Sequence, residues 1–460
     1  MAANRYNVNM CEGPLFGKIV RFMLPLAATY LLQHLFHFAD ILVIGRFASH
    51  ESMAAIGTTG DLNALMLNMI WGVSVGANVV VAQCYGAGDR KALTHAVHSA
   101  LALAFLFGTL VFVLGMIFAR AMLRGIDVPE GVIDRATLYW RICFCGTPFM
   151  LIYNYSSSVL RALGDTRRPL CLLTIAGIAN VALNLVFVIF FRMDVAGVAL
   201  ATALSQLMSG ILVLRIMVRS TGAERIMPRH IGFYWPQVKR MLYIGIPAGL
   251  QGACFSISNV IMQQAINSIG AYAMAGNIAS CQLEGLMYVI IIAVYQTAMS
   301  FSGQNYGAKC YDRVRRSVLI CLGVICSITA VGGWLCLAFG RELLWFIKPD
   351  NLVVEQGLER LRFTMSTYFL LGAMDVFTGG LRGIGRSISP LVVMLLGACV
   401  YRIIWIQTVF PDYRSLGSLL LSYPISWFLV SAVNGALFFI VLKRLIDRGV
   451  TAVPAAGAAK

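Results

Sequence analysis

Two motifs occur twice in this chain at one common interval. Gln83, Tyr85, Gly86 and Ala87 recur as Gln304, Tyr306, Gly307 and Ala308. Leu160, Arg161, Gly164 and Pro169 recur as Leu381, Arg382, Gly385 and Pro390, again 221 positions on. A shared offset means that the spacing between the motifs is duplicated along with the motifs, as when one structural unit is repeated whole. The repeated unit is apolar: 59% of the 460 residues are hydrophobic and 12% are charged. A water-soluble domain carries about twice that charged fraction. At about 20 apolar residues per membrane crossing, the chain has room for about a dozen helices.

Apolar runs over 16–44, 53–83, 94–118, 136–160, 168–191 and 195–219 predict six spans. Runs over 238–266, 275–303, 316–340, 357–381, 389–409 and 417–443 predict six more. The fold class is therefore an all-α integral membrane protein with twelve transmembrane helices in two six-helix lobes. A polar, basic stretch from Arg219 to Arg240 separates the sets. The expected division is a first lobe over 1–219, a cytoplasmic linker over 220–237, and a second lobe with a short cytoplasmic tail over 238–460. An even number of spans per half gives both lobes one orientation, so they form parallel repeats.

The formal charge of +16 raises nucleic acid as a partner, but the distribution of the basic residues excludes it. Arg90, Lys91, Arg161, Arg167, Arg168, the 219–240 stretch, Lys309, Arg313, Arg315, Arg316, Arg382, Arg386, Lys443 and Arg444 fall on one face of this topology. Acids such as Asp127, Glu130, Asp134, Asp194, Asp350 and Glu355 fall on the other. Such a bias marks the cytoplasmic side and places both termini there, in a multi-pass protein of the cell membrane. The first apolar run flows into further membrane sequence and reads as an uncleaved helix. The 12 cysteines are scattered with no C-x-x-C pair, which suits small apolar side chains better than a zinc site. No Ser/His pair or H-E-x-x-H motif points to an enzyme.

Three acids lie at membrane depth: Asp40, Glu284 and Asp375. Each costs about 2.5–3.5 kcal/mol on insertion scales and so needs a reason to be there. Asp40 shares a helix face with His34 and His37, and that face must look into the bundle or a wet cavity. The i, i+3, i+6 spacing is a poor metal cage, so no metal site is expected. A proton or sodium site is the sharper reading of Asp40, and a structural hydrogen bond to a neighbouring helix is the other. In the fifth span, Asn180 and Asn184 lie one turn apart. Their amide oxygens can complete a cation's oxygen shell or accept from a protonated carboxyl. They can equally glue helices together. Thr202 in the sixth span is a weaker candidate of the same kind. Pro25 and Pro247, near the starts of the first and seventh spans, are either hinges or ordinary helix-start prolines. Arg402, in the eleventh span, is expected to snorkel to the outer interface.

The repeat offset maps Asp40 to Ile261, Asn180 to Tyr401, Asn184 to Trp405 and Thr202 to Tyr423. A polar set in the first half thus becomes apolar and aromatic in the second. This divergence suggests that the first lobe binds a coupling ion. The second lobe would then supply an aromatic wall of Tyr401, Trp405 and Tyr423 for an organic substrate; ordinary interfacial anchoring is the other reading of Trp405 and Tyr423. Glu284 and Asp375 would attract a cationic one, and aromatic faces favour organic cations for the same reason.

The stretches FADILVIGRFAS, GANVVVAQCYGAGD and LRALGDTRRP, with their echoes FSGQNYGA and LRGIGRSISP, resemble the multidrug and toxic compound extrusion (MATE) transporters across nearly the whole chain. The resemblance implies a V-shaped pair of six-helix lobes. It also implies export of drugs or metabolites against proton or sodium flow. Within that family, the branch similar to DNA-damage-inducible F proteins carries a polar cluster in its first lobe. Asp40 matches its first-span aspartate, Asn180 its fifth-span asparagine and Thr202 its sixth-span threonine. Asn184 stands where many members have a second aspartate, which leaves Asp40 the sole carboxylate there. The expected function is an antiporter for small organic compounds, driven by protons or sodium and working as a monomer in lipid without a cofactor. A flippase for lipid-linked oligosaccharides, on a related scaffold, is the alternative.

Overall fold

A computed structural model describes residues 7–47, 71–125, 128 and 130–451. The described elements are α1 (Leu15–Phe47), α2 (helical over 71–86), α3 (Arg90–Arg124), α4 (Glu130–Ala162), α5 (Arg167–Leu185) and α6 (Asp194–Arg219). There follow α7 (Trp235–Asn267), α8 (Ala271–Gly307), α9 (Tyr311–Ala338), α10 (Gly340–Ile347), α11 (Asn351–Met365) and α12 (Tyr368–Gly383). The chain ends with α13 (Ile388–Met394), α14 (Tyr401–Thr408), α15 (Leu416–Leu420) and α16 (Ser422–Thr451). Among the described residues, nine helical stretches are long and apolar enough to cross a membrane. The expected span 53–83 falls mostly outside the described residues.

Several expected spans differ in detail from the helices observed. The run 357–381, expected as one span, is broken between α11 and α12. Ser366 Oγ donates to Arg362 O at 2.6 Å and Thr367 Oγ1 to Phe363 O at 2.8 Å. Hydroxyls that bond back to the preceding turn compete with the helical ladder and bend it. A π-helical turn, Val186–Phe190, ends α5, and another, Leu395–Val400, joins α13 to α14. Such turns concentrate at functional positions in helices.

The repeated glycines have a backbone reason. Gly164 and Gly385 take φ of 96° and 86°, a region closed to most side chains. At Gly164 a Cβ would also stand 2.4 Å from Val8 O. Each of these glycines turns the chain just past the end of a helix, α4 or α12, three residues after a buried arginine, Arg161 or Arg382.

The chain groups into two compact units. One takes Val8 and the described residues of Leu24–Tyr85 and Asp89–Gly249. In it, α4 packs on both α3 and α6, and α5 packs on α6. The other takes Asn9–Met23, Gly86–Gly88 and the described residues from Leu250 onward. Here α12 packs on α8, α9 and α16. The units do not follow the order of the sequence halves: α1 passes from the second unit to the first beside Pro25, and α7 from the first to the second beside Pro247.

The basic stretch expected as a linker is folded into the first unit. Glu224 is fully buried; its Oε1 accepts from Arg168 Nη2 at 2.9 Å and from Ser220 Oγ at 2.6 Å. Met227 N donates to His98 Nε2 at 3.0 Å, and Tyr234 stacks on His95 at 3.9 Å.

Candidate functional site

In the first unit the four residues singled out by sequence share one hydrogen-bonded cluster. Phe36 of α1 lies over Gly177 of α5, where any Cβ would collide with its ring at 1.8 Å. That close approach sets Asp40, one turn beyond Phe36, against the polar face of α5. Asn184 Nδ2 donates to Asp40 Oδ1 at 2.5 Å and to Asn180 Oδ1 at 3.3 Å. Asn180 Nδ2 in turn donates to Thr202 Oγ1 at 3.5 Å and to Ser205 Oγ at 3.4 Å on α6. Ser205 was not singled out by sequence. Its place one turn after Thr202, on the same face, was the available signal.

Asp40 is half-buried, and Asn180 and Asn184 are buried. No Lys, Arg or His forms an ion pair with Asp40 among the described residues. Tyr139 and Cys143 on α4 lie close enough to sense its charge. Asn184 Oδ1 is buried with no hydrogen-bond partner among the described residues. The cluster thus offers a lone carboxylate, two amide oxygens and two hydroxyls, all hard oxygen donors of the kind that bind protons or alkali cations.

The second unit corrects two expectations. Glu284 does not stand as an unpaired acid. Arg360 grips it in a two-pronged ion pair, Nε to Oε1 at 2.7 Å and Nη2 to Oε2 at 2.7 Å, and Thr364 Oγ1 donates to Oε1 at 2.8 Å. Arg360 also bonds Asn277, which donates to Gln263 Oε1 at 2.8 Å. Bound this way, the carboxylate has its charge matched and its lone pairs engaged. Arg402 does not snorkel: it is 0% exposed. Its Nε and Nη2 both donate to Ser426 Oγ, at 3.2 and 3.0 Å, and its guanidinium sits 4.2 Å from the centre of the Tyr423 ring. Ser426 and Tyr423 on α16 hold it inward, where the ring's negative face offsets part of its desolvation.

The remaining candidates divide. Tyr423 is buried between Arg402 and Arg360, the latter 5.4 Å from its ring centre, and meets Trp427 edge-on at 5.8 Å. Tyr401 and Trp405 form their own ring pair at 5.8 Å, with Trp405 Nε1 donating to Ser418 O at 2.9 Å. Neither ring contacts that of Tyr423 among the described residues. Asp375, half-buried on α12, joins neither group and senses the Arg382 guanidinium on its own helix.

The MatE family model matches residues 25–186 and 247–406, one match in each repeat. A probable multidrug resistance protein of Bacillus subtilis, YpnP, is 28% identical over 391 residues, covering 85% of this chain and 87% of that protein. A second from the same organism, YoeA, is 25% identical over 382 residues, covering 81% and 82%. A solved outward-facing multidrug resistance MATE family transporter of the MOP superfamily superposes with a TM-score of 0.90 at 18% identity, covering 97% of this chain and 100% of that one. Repeat, fold and matched residues agree: the chain belongs to the MatE family of multi-pass membrane transporters.

Proposed function

We propose that this protein is a secondary active antiporter that exports small organic compounds in exchange for protons or sodium ions taken up at the Asp40 cluster. The observation that supports this reading is a lone half-buried carboxylate tied through two amides to two hydroxyls inside one unit. The small-molecule cargo is inferred from the family and from the multidrug names of its relatives.

The cluster offers two hydrogen-bonding states. Ionised Asp40 is an acceptor only, and Asn184 presents its amide N–H to it. A protonated Asp40 becomes a donor, and the partnerless Asn184 Oδ1 is the acceptor that a half-turn of the amide would bring to it. Sodium would recruit the same oxygens. Either cation changes what α1, α5 and α6 share, and so biases the conformations of the first unit. Coupling requires that the ion favour one conformation; a full swing from 1:99 to 99:1 needs a differential affinity of about 10⁴-fold. Pro25 and Pro247, where α1 and α7 change units, each remove a backbone donor and are the proposed hinges. The working unit is a monomer in the cell membrane with both termini cytoplasmic.

The test is dye flux in proteoliposomes under an imposed pH or sodium gradient. Asp40→Asn should abolish gradient-driven flux, and the gradient that drives wild-type flux names the ion. Wild-type flux that persists undiminished in Asp40→Asn under both gradients would end the coupling role.

A further inference from the structure

The repeat-related surroundings of the two units carry opposite chemistry. Thr202 and Asn180 offer oxygens to the Asp40 cluster in the first unit; their equivalents, Tyr423 and Tyr401, are aromatic, and the Tyr423 ring lies 4.2 Å from the Arg402 guanidinium in the second. Arg402 has five N–H groups. Its only acceptor among the described residues is Ser426 Oγ, and its Nη1 is buried without a partner. Trp427, 4% exposed and edge-on to the same Tyr423 ring, has a buried Nε1–H that is likewise without a partner. Among the described residues no carboxylate pairs with Arg402: Glu284 is fully engaged by Arg360 and Thr364. Arg360, near the same Tyr423 ring at 5.4 Å, already has its charge matched by Glu284 and offers Arg402 no counter-charge. A buried cation without a carboxylate partner, whose Nη1 and a neighbouring indole N–H both lack acceptors, calls for an anion. The π-helical turn Leu395–Val400 ends immediately before Tyr401 and Arg402, so this stretch departs from a regular helix where the donors gather.

We propose that the second unit contains an anion site built on Arg402 and Trp427 around Tyr423, which takes a small oxyanion or halide, or the carboxylate, sulfonate or phosphate group of an organic cargo. The site stands on its own geometry and goes beyond the cation-coupling reading. Arg402 supplies the charge and the partnerless N–H groups of Nη1, Trp427 a further N–H, and the Tyr423 ring flanks the guanidinium.

The experiment is anion binding to the purified full-length protein in detergent, read by thermal unfolding and tryptophan fluorescence. Chloride, phosphate, benzoate and an arylsulfonate are added as N-methyl-D-glucamine salts, so that no sodium is present for the first unit. Wild type should show saturable binding of at least one anion above an ionic-strength control. Arg402→Gln should lose it. Trp427→Phe keeps an aromatic side chain beside Tyr423 while removing the indole N–H, and should weaken binding about tenfold or more, the effect of losing a hydrogen bond to a charged group. Asp40→Asn should bind as wild type, which separates this site from the coupling reading. Preference for chloride or phosphate identifies a resident inorganic ion, and preference for the aromatic anions a cargo subsite. Absence of saturable binding in wild type overturns the proposal. So does binding unchanged in both Trp427→Phe and a folded Arg402→Gln.

Discussion

Replacing Arg360 by leucine isolates what the second unit's buried ion pair is worth. In the intact protein Glu284 accepts two charge-assisted bonds of 2.7 Å from Arg360 and one of 2.8 Å from Thr364. The arginine side of the salt bridge is 6% exposed and the glutamate side 11%. Arg360→Leu leaves a carboxylate in that setting with one hydroxyl for company. Breaking a buried pair from one side costs about 3–5 kcal/mol, mostly for the charge left behind. Glu284→Gln keeps the length of the side chain but strips Arg360 of its counter-charge, so it breaks the pair from the other side and should also cost about 3–5 kcal/mol. Removing both partners, Glu284→Leu with Arg360→Leu, abolishes the desolvation of both ions and should recover most of the loss. The assay is reversible unfolding in mixed micelles, followed by tryptophan fluorescence, with Arg360→Leu, Glu284→Leu and their double variant analysed as a double-mutant cycle. Arg360→Leu within about 0.5 kcal/mol of wild type, or a double variant as unstable as the sum of the singles, would refute the assignment.

Burial works to raise the pKa of Glu224, but the Ser220 hydroxyl and Arg168 outweigh it and hold the carboxyl below its ordinary 4.5. Its stabilising effect is therefore full above that value and is lost as the pH falls through the lower folded value. Wild type should unfold at a higher temperature than Glu224→Gln at pH 6, and the gap should close on acidification below pH 4.5; a gap that widens with acid would contradict the sign. Gly164→Ala forces a side chain into φ of 96° and towards Val8 O, so a loss of about 1–3 kcal/mol is expected in the same unfolding assay. Ser205→Ala removes one of the two hydroxyls that accept from Asn180. It should weaken ion-driven flux several-fold while leaving expression unchanged, measured in the proteoliposome assay beside Thr202→Ala.

The sequence carried the architecture because membrane crossing is a local property. A run of about 20 apolar residues declares a span without knowledge of its neighbours, and most helices fall within a few residues of the expected ends. The Asp40 cluster was legible for a related reason: a polar residue in an apolar run stands out, and Asn180 and Asn184 share one helix face. What escaped was tertiary. Arg360 sits among Glu355, Glu359 and Arg362, a charged stretch that looks solvated, and its partner Glu284 is 76 positions away. Arg402 looked like an interfacial anchor because nothing local reveals that Ser426 and Tyr423, on another helix, would hold it inside. The break between α11 and α12 depends on two hydroxyls choosing carbonyls over other partners, a choice that apolar periodicity does not register.

The exchange of helix starts between the units has a consequence for any attempt to divide the protein. A cut within residues 220–237, where the sequence halves meet, would leave the carboxyl-terminal fragment without Asn9–Met23, although that segment belongs to its unit. Phe22, whose ring meets Phe301 edge-on at 5.7 Å, would go with the wrong piece. The amino-terminal fragment would similarly forfeit the opening turns of α7. Neither piece is a complete folding unit alone, so the two should be recovered in native form only when co-expressed and reassociated.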